Sequence, residues 1–397
     1  MTDARHRSCA ISNKSPVRLS RLTAFLASAV FLFPALAQSD EEVRQEKTER
    51  ADINVQVLAS GLENPWSVEA LPDGAYIVTE RAGRMRIVKD SKLSAPLGGL
   101  PAISAGGQGG LLDIALDPQF DSNRTLYFTA SITGDGGRGT AVFRAQLAED
   151  GSRLEGTERI FAMNKFTGTG QHFGSRLAIS TDGKLFFGIG DRGNGERAQD
   201  PDDHAGSILR IEKDGKIPSD NPYGAGGEGA TEIWSIGHRN PQGLAFDSKD
   251  GTLFTVEHGA RGGDEINIPQ PKGNFGWPVI SYGKHYSGQD FPGGTSQDGM
   301  IQPEYYWDPS IAPGAIAVYR GSMFPEWDGN LFVTALKYQL LVRLERDDSG
   351  KITSEERMLK GEYGRMRDVV VAPDGALLIL TDESDGALLR VSRANAS

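Results

Sequence analysis

One local pattern recurs six times along the chain and restricts what it can fold into: a short apolar strand, a tight turn built on Asp, Gly or Pro, and a second apolar strand. The copies occupy residues 68–78, 114–128, 177–189, 244–256, 323–333 and 369–380. Their turns hold Pro72-Asp73-Gly74, Asp117-Pro118, Asp182-Gly183, Asp250-Gly251, Asp328-Gly329 and Asp374-Gly375. Counted from Gly74 through Asp121, Gly183, Gly251 and Gly329 to Gly375, the intervals are 47, 62, 68, 78 and 46 residues. A propeller blade of four short antiparallel strands needs about 40 to 50 residues, and the longer intervals leave room for loops that build a site on one face. Fifty glycines and twenty prolines suit such a loop-rich chain. An irregular β-sandwich would use the same Asp-Gly hairpins. Six regular copies favour an all-β, six-bladed β-propeller, in which inner strands converge on a channel and bring together polar residues far apart in sequence.

The N-terminus carries Arg5, Arg7, Lys14, Arg18 and Arg21, then an apolar run over 22–33, then Ala35-Leu36-Ala37. That order reads as a secretory signal peptide over 1–37. The apolar run is well short of the roughly 20 residues of a membrane span, so the expected destination is periplasmic or secreted, with no membrane span. Removing this segment takes the net charge from −11 to about −15, which argues against nucleic acid as a partner. The sole cysteine, Cys9, leaves with it. Residues 38–53 are polar and rich in Glu and Lys, the expectation for a flexible leader before a propeller domain over 54–397.

Six stretches carry residues suited to chemistry. In Gly106-Gly107-Gln108-Gly109-Gly110 four glycines surround one amide, as backbone close to a flat ligand requires, or as a plain inter-blade turn also provides. His172, ahead of the third repeat, is a candidate general base, and Asp191 across the hairpin is a carboxylate able to orient it. A lone histidine is more often structural, the reading kept for His204, His258 and His285. Arg239, followed by Asn240 and Pro241, offers a planar donor set for a carboxylate or oxyanion, or for a salt bridge between blades. The loop Glu257-His258-Gly259-Ala260-Arg261-Gly262-Gly263-Asp264 is rich in oxygen ligands for a hard cation, although acidic turns are common without metal. Lys337 follows the fifth repeat. Arg365 and Arg367, spaced i and i+2 on an expected strand, face one side and ask for an anion between them, unless both are solvated.

Taken together, Gly61-Leu62-Glu63-Asn64-Pro65-Trp66, the 107–112 stretch, His172, the 239–243 and 264–267 stretches and Arg365-Met366-Arg367-Asp368 resemble the pyrroloquinoline quinone (PQQ)-dependent glucose/sorbosone dehydrogenase family, most closely its bacterial aldose sugar dehydrogenase branch. The resemblance implies a propeller holding PQQ above its channel beside a calcium ion. It implies that His172 takes the proton from the C1 hydroxyl of an aldose while hydride passes to PQQ, giving a lactone, with Asp191 orienting His172. Gln108, Arg239, Asn240, Ser310, Lys337, Arg365 and Arg367 would hold the cofactor, and Gly259 and Ala260 would offer carbonyls to calcium. PQQ has three carboxylates and calls for cations around it, and calcium acts as a Lewis acid on its carbonyl. Gln171, Ala260 and Asp308 depart from the glucose-dehydrogenase branch, which has Asp, Pro and Trp there, so a broader range of aldoses is expected. The electron acceptor is not legible. A calcium-dependent sugar lactonase and a non-catalytic binding propeller are the competing readings, because the fold alone does not choose among them.

Overall fold

Each Asp-Gly turn closes a hairpin at the same end of the molecule. A computed structural model describes residues 43–224 and 228–394, and the expected signal peptide over 1–37 lies outside them. Gly74, Gly183, Gly251, Gly329 and Gly375 all have φ between 77° and 88°, a region that L side chains rarely adopt and that lets two strands turn back within a few residues. The second repeat lacks this glycine. There Asp117-Pro118 leads into one helical turn, Phe120–Asn123, and Arg124 takes the left-handed position at φ 52°.

The hairpins belong to six antiparallel sheets, five of four strands and one of five. The first strand of each, Pro65–Ala70, Leu111–Leu116, Leu177–Ile179, Pro241–Phe246, Pro313–Val318 and Met366–Val371, packs against the first strand of the next, and the last returns to the first. This closed ring is a six-bladed β-propeller. The six largest apolar clusters among the described residues lie one at each interface between neighbouring blades. That explains why strands such as Leu185–Ile189, Leu331–Ala335 and Leu377–Thr381 are buried at every position instead of alternating, since a blade is covered on both faces.

Two sequence expectations need correction. The leader expected to be flexible over 38–53 contains a strand, Val43–Lys47, which pairs antiparallel with Asp52–Leu62. The latter pairs in turn with Gly386–Arg393, through Ile53 with Arg393 and Val55 with Val391, so an N-terminal strand joins the sixth blade and closes the ring. A long-range pairing of this kind leaves no local signal in sequence. In the fifth repeat the expected strand before the turn is a 3-10 turn, Pro325–Trp327, and the inner strand lies earlier, at Pro313–Val318, because Pro325 withholds the N–H a ladder needs.

The extra residues of the longest interval lie chiefly in the fourth blade, as an arm over 268–304 between Asp264–Asn267 and Tyr305–Trp307. The entry to each inner strand and the exit from its partner meet at the end opposite the Asp-Gly turns. His172, Arg239 and Ser310 precede inner strands, and Asp191, His258 and Lys337 follow second strands, so the topology delivers them to one face.

Candidate active site

His172 is fixed from three directions. Its backbone, at φ 53°, donates N–H to Gln108 Oε1 at 2.7 Å. Its Nδ1 lies 2.6 Å from Asp191 Oδ1. The segment before it is clamped by the buried guanidinium of Arg192, which donates to the carbonyls of Gln171 and Thr169 and lies 3.4 Å from the Phe173 ring centroid. Asp191 also accepts from Gly193 N–H at 2.7 Å and from Trp277 Nε1–H at 2.8 Å. Burial works to raise the Asp191 carboxyl, but His172, Gly193 and Arg239 outweigh it and hold it below the ordinary aspartate value. An ionised Asp191 accepts the Nδ1 proton of a neutral His172, which leaves the Nε2 lone pair free to act as a base.

The ring borders a cavity of about 960 Å³ whose walls carry Arg239, Arg261, Lys284 and Lys337. Lys284 pairs with Asp290 at 3.1 Å, whereas among the described residues Lys337 and Arg261 form no ion pair. Arg239 lies 5.1 Å from the Trp277 ring centroid, donates to the carbonyls of His258 and Gly259, and has a buried Nε without a partner. Its backbone N–H is held by Glu257 Oε2 at 2.7 Å, and the other oxygen of Glu257 accepts from His238. His238 also meets Ser235 Oγ at 2.9 Å, a Ser-His-Glu arrangement sealed from solvent and therefore structural. His258 lines the cavity with its Nε2–H donated to the Pro313 carbonyl at 2.7 Å. Burial pushes its imidazole down to about 3, and Arg239, Arg367 and His172 add to that against the Pro313 carbonyl, so His258 stays neutral amid a positive potential. A cavity with such walls attracts anions.

Of the residues singled out in sequence, Gln108, His172, Arg239, Gly259, Ala260, Ser310 and Lys337 line this one cavity. Asp191 stands directly behind His172. Asn240 and Arg367 are buried outside the lining: Asn240 Oδ1 accepts from Gly174 N–H and Gln242 Nε2, and Arg367 donates to Gln242 and, at 2.5 Å, to Asp382. Arg365 is partly exposed and lies 4.0 Å from the same Asp382. The anion that the two arginines ask for is thus, in this structure, the chain's own Asp382. Trp277 and Arg192 are supporting residues that sequence reasoning missed, because their partners lie 86 and 21 positions away, and Glu257, read in sequence as part of an oxygen-rich loop for a cation, holds Arg239 instead.

The oxygen-rich loop is tight. A Cβ on Gly259 would fall 2.3 Å from the carbonyl oxygen of Gly262, so only glycine fits. Both Asp264 oxygens are taken by backbone N–H groups, from Gly259 at 2.8 Å and Ala312 at 2.7 Å, which shapes the loop, while its His258 and Gly259 carbonyls accept from Arg239. Among the described residues no three His, Cys, Asp or Glu side chains gather to hold a metal. No helix among them is long and apolar enough to cross a membrane.

Residues 62–390 match the family described as Glucose / Sorbosone dehydrogenase. The chain belongs to that family. It is 41% identical over 350 residues to the aldose sugar dehydrogenase YliI of Escherichia coli, covering 87% of this chain and 94% of that protein. The apo crystal structure of the soluble aldose sugar dehydrogenase from Escherichia coli superposes with a TM-score of 0.83, at 41% identity, over 86% of this chain and all of the other. The PQQ-bound aldose sugar dehydrogenase of Streptomyces coelicolor superposes with a TM-score of 0.69 at 29% identity, over 86% of this chain and 99% of the other.

Proposed function

We propose that the chain is an exported PQQ- and calcium-dependent dehydrogenase that oxidises aldoses at C1 to lactones. The observation that carries this reading is the imidazole–carboxylate pair of His172 and Asp191, 2.6 Å apart, opening onto a cavity where Arg239, Arg261 and Lys337 have no ion-pair partner among the described residues. Arg261, Lys337 and the partnerless Nε of Arg239 suit a ligand with several carboxylates. PQQ has three, so the walls fit it, and Gln108, Arg239, Ser310 and Lys337 are the residues that would hold it. Asn240 and Arg367 would act from behind, through Gln242. Calcium fits the carbonyls of Gly259 and Ala260, since the Gly259 oxygen bonded to Arg239 has a second lone pair. When bound, the quinone supplies the hydride acceptor and calcium polarises it.

The chain's own groups do the rest. His172 Nε2 accepts the proton of the C1 hydroxyl as hydride departs from C1. Asp191, held by Gly193 and Trp277, keeps Nδ1 protonated and stabilises the imidazolium that forms. The aldose is neutral, so the free cations are suited to the cofactor. The electrons then pass to a separate acceptor. The basic and apolar N-terminal segment supports a periplasmic or secreted location. A lactonase would have no use for such an array of cations.

The test is an absorption titration of the purified protein with PQQ, with and without calcium, followed by a panel of aldoses. Sugar-dependent reduction that needs both additions is expected. Lactone hydrolysis without quinone, or no response to the two together, would overturn the reading.

A further inference from the structure

The arm of the fourth blade reaches the catalytic pair through one side chain. Trp277 donates Nε1–H to Asp191 Oδ2 at 2.8 Å, the carboxylate whose other oxygen serves His172. The same indole lies 5.1 Å from the Arg239 guanidinium. A planar cation over an indole face is held by the ring quadrupole and prefers one orientation. The Trp277 backbone is held at both of its polar atoms. Trp277 N–H donates to the Gly237 carbonyl at 3.0 Å, two residues before Arg239, and its carbonyl accepts from Gln199 at 2.7 Å. Phe291 packs on the indole edge-on at 5.1 Å, and His285 lies tilted against Phe291 at 3.9 Å. Opposite, a Cβ at Gly195 would fall 3.1 Å from Nε1 and 2.8 Å from Pro278, so the glycine leaves the Trp277-Pro278 segment room beside Asp191.

From this geometry we infer that Trp277 is a positioning residue for both halves of the site, its N–H setting the Asp191 carboxylate behind His172 and its ring face seating Arg239. An indole at this position offers both a donor edge and a broad cation-binding face. The kinetic consequence rests on the dehydrogenase reading, whereas the structural one does not.

Two variants separate the contributions. Trp277→Phe keeps a ring under Arg239 and removes the N–H, so kcat should fall roughly 10- to 100-fold, the range for losing a residue that orients a catalytic group, with the aldose KM and PQQ affinity unchanged. Trp277→Ala removes both, and PQQ binding followed by absorbance should weaken as well. In the uncomplexed protein the Trp277 indole ¹⁵N–¹H resonance should shift upfield in Asp191→Ala. Unchanged kcat in Trp277→Phe, or kcat and KM worsening together in step with lost thermal stability, would overturn the inference, as would an indole resonance indifferent to Asp191→Ala. If the wild-type protein proves inactive with PQQ and sugar, the functional proposal fails, and the resonance test still decides the role of Trp277.

Discussion

Arg176 donates through Nη1 to the Asp368 carboxylate at 2.8 Å, joining the entry of the third blade to the sixth across the central channel. The same nitrogen reaches Asp113 of the second blade at 2.9 Å, Nε donates to the Gln242 carbonyl of the fourth, Nη2 to the Gly314 carbonyl of the fifth, and the guanidinium lies 4.2 Å from the Trp66 ring centroid of the first. One buried side chain therefore contacts every other inner strand. Arg176→Met should destabilise the fold by about 3–5 kcal/mol, because it strands two buried carboxylates without their cation. Urea denaturation measures this, and a loss below about 1 kcal/mol would show that the hub is dispensable.

The pair of His172 and Asp191 makes a sharper prediction. His172→Ala should reduce turnover by roughly two to four orders of magnitude, the range for losing a general base. Asp191→Asn keeps the size but puts an amide beside Nδ1, favouring the ring tautomer whose Nε2 carries hydrogen, and a loss of about 10² to 10⁴ in kcat is expected. Steady-state rates at saturating PQQ and calcium check both. Retention of half the activity in Asp191→Asn would remove the orienting role.

The fold was readable because five of the six blades repeat their turn chemistry locally: Asp-Gly with a left-handed glycine is a signal within four residues. Closure of the ring was not readable, since Ile53 meets Arg393 only after the whole chain has folded. The clustering of Gln108, His172, Arg239 and Lys337 followed from their placement at inner-strand entries and second-strand exits, which the repeat predicts. Arg367 shows where such reasoning stops. Its spacing from Arg365 asks for an anion, but sequence does not tell a ligand's carboxylate from that of Asp382, fifteen residues on. His258, expected to be structural, borders the cavity because the exit of a second strand carries it there.

Glu69 lies in the channel with Asp113, Asp368 and Arg176. Burial, then the two aspartates, push its carboxyl up to about 8 against the pull of Arg176. An unfolded chain releases that proton near 4.5. Between these values the folded state holds a proton that the unfolded state has lost, so stability falls as pH rises through the window and levels off above it. Glu69→Gln should abolish this fall, leaving the variant comparable to wild type near pH 4 and more stable by roughly 1–3 kcal/mol at pH 8. Thermal denaturation at three pH values suffices. A difference that does not vary with pH would mean that Glu69 titrates normally.

Lys337 is a cation on the cavity wall with no ion pair among the described residues, its Nζ 5.1 Å from the Tyr338 ring centroid. Removing it breaks no salt bridge, so Lys337→Ala should leave the melting temperature of the cofactor-free protein nearly unchanged. If the free ammonium exists to meet a carboxylate of PQQ, the loss of one charge-assisted contact is worth about 1.5–3 kcal/mol, a weakening of PQQ binding by roughly 10- to 100-fold. Added salt should narrow the gap between variant and wild type, because screening weakens the wild-type attraction while the variant has none to lose. Absorption titrations with PQQ at low and high ionic strength read both effects. Equal affinities at low salt would show that this cation faces something other than the cofactor.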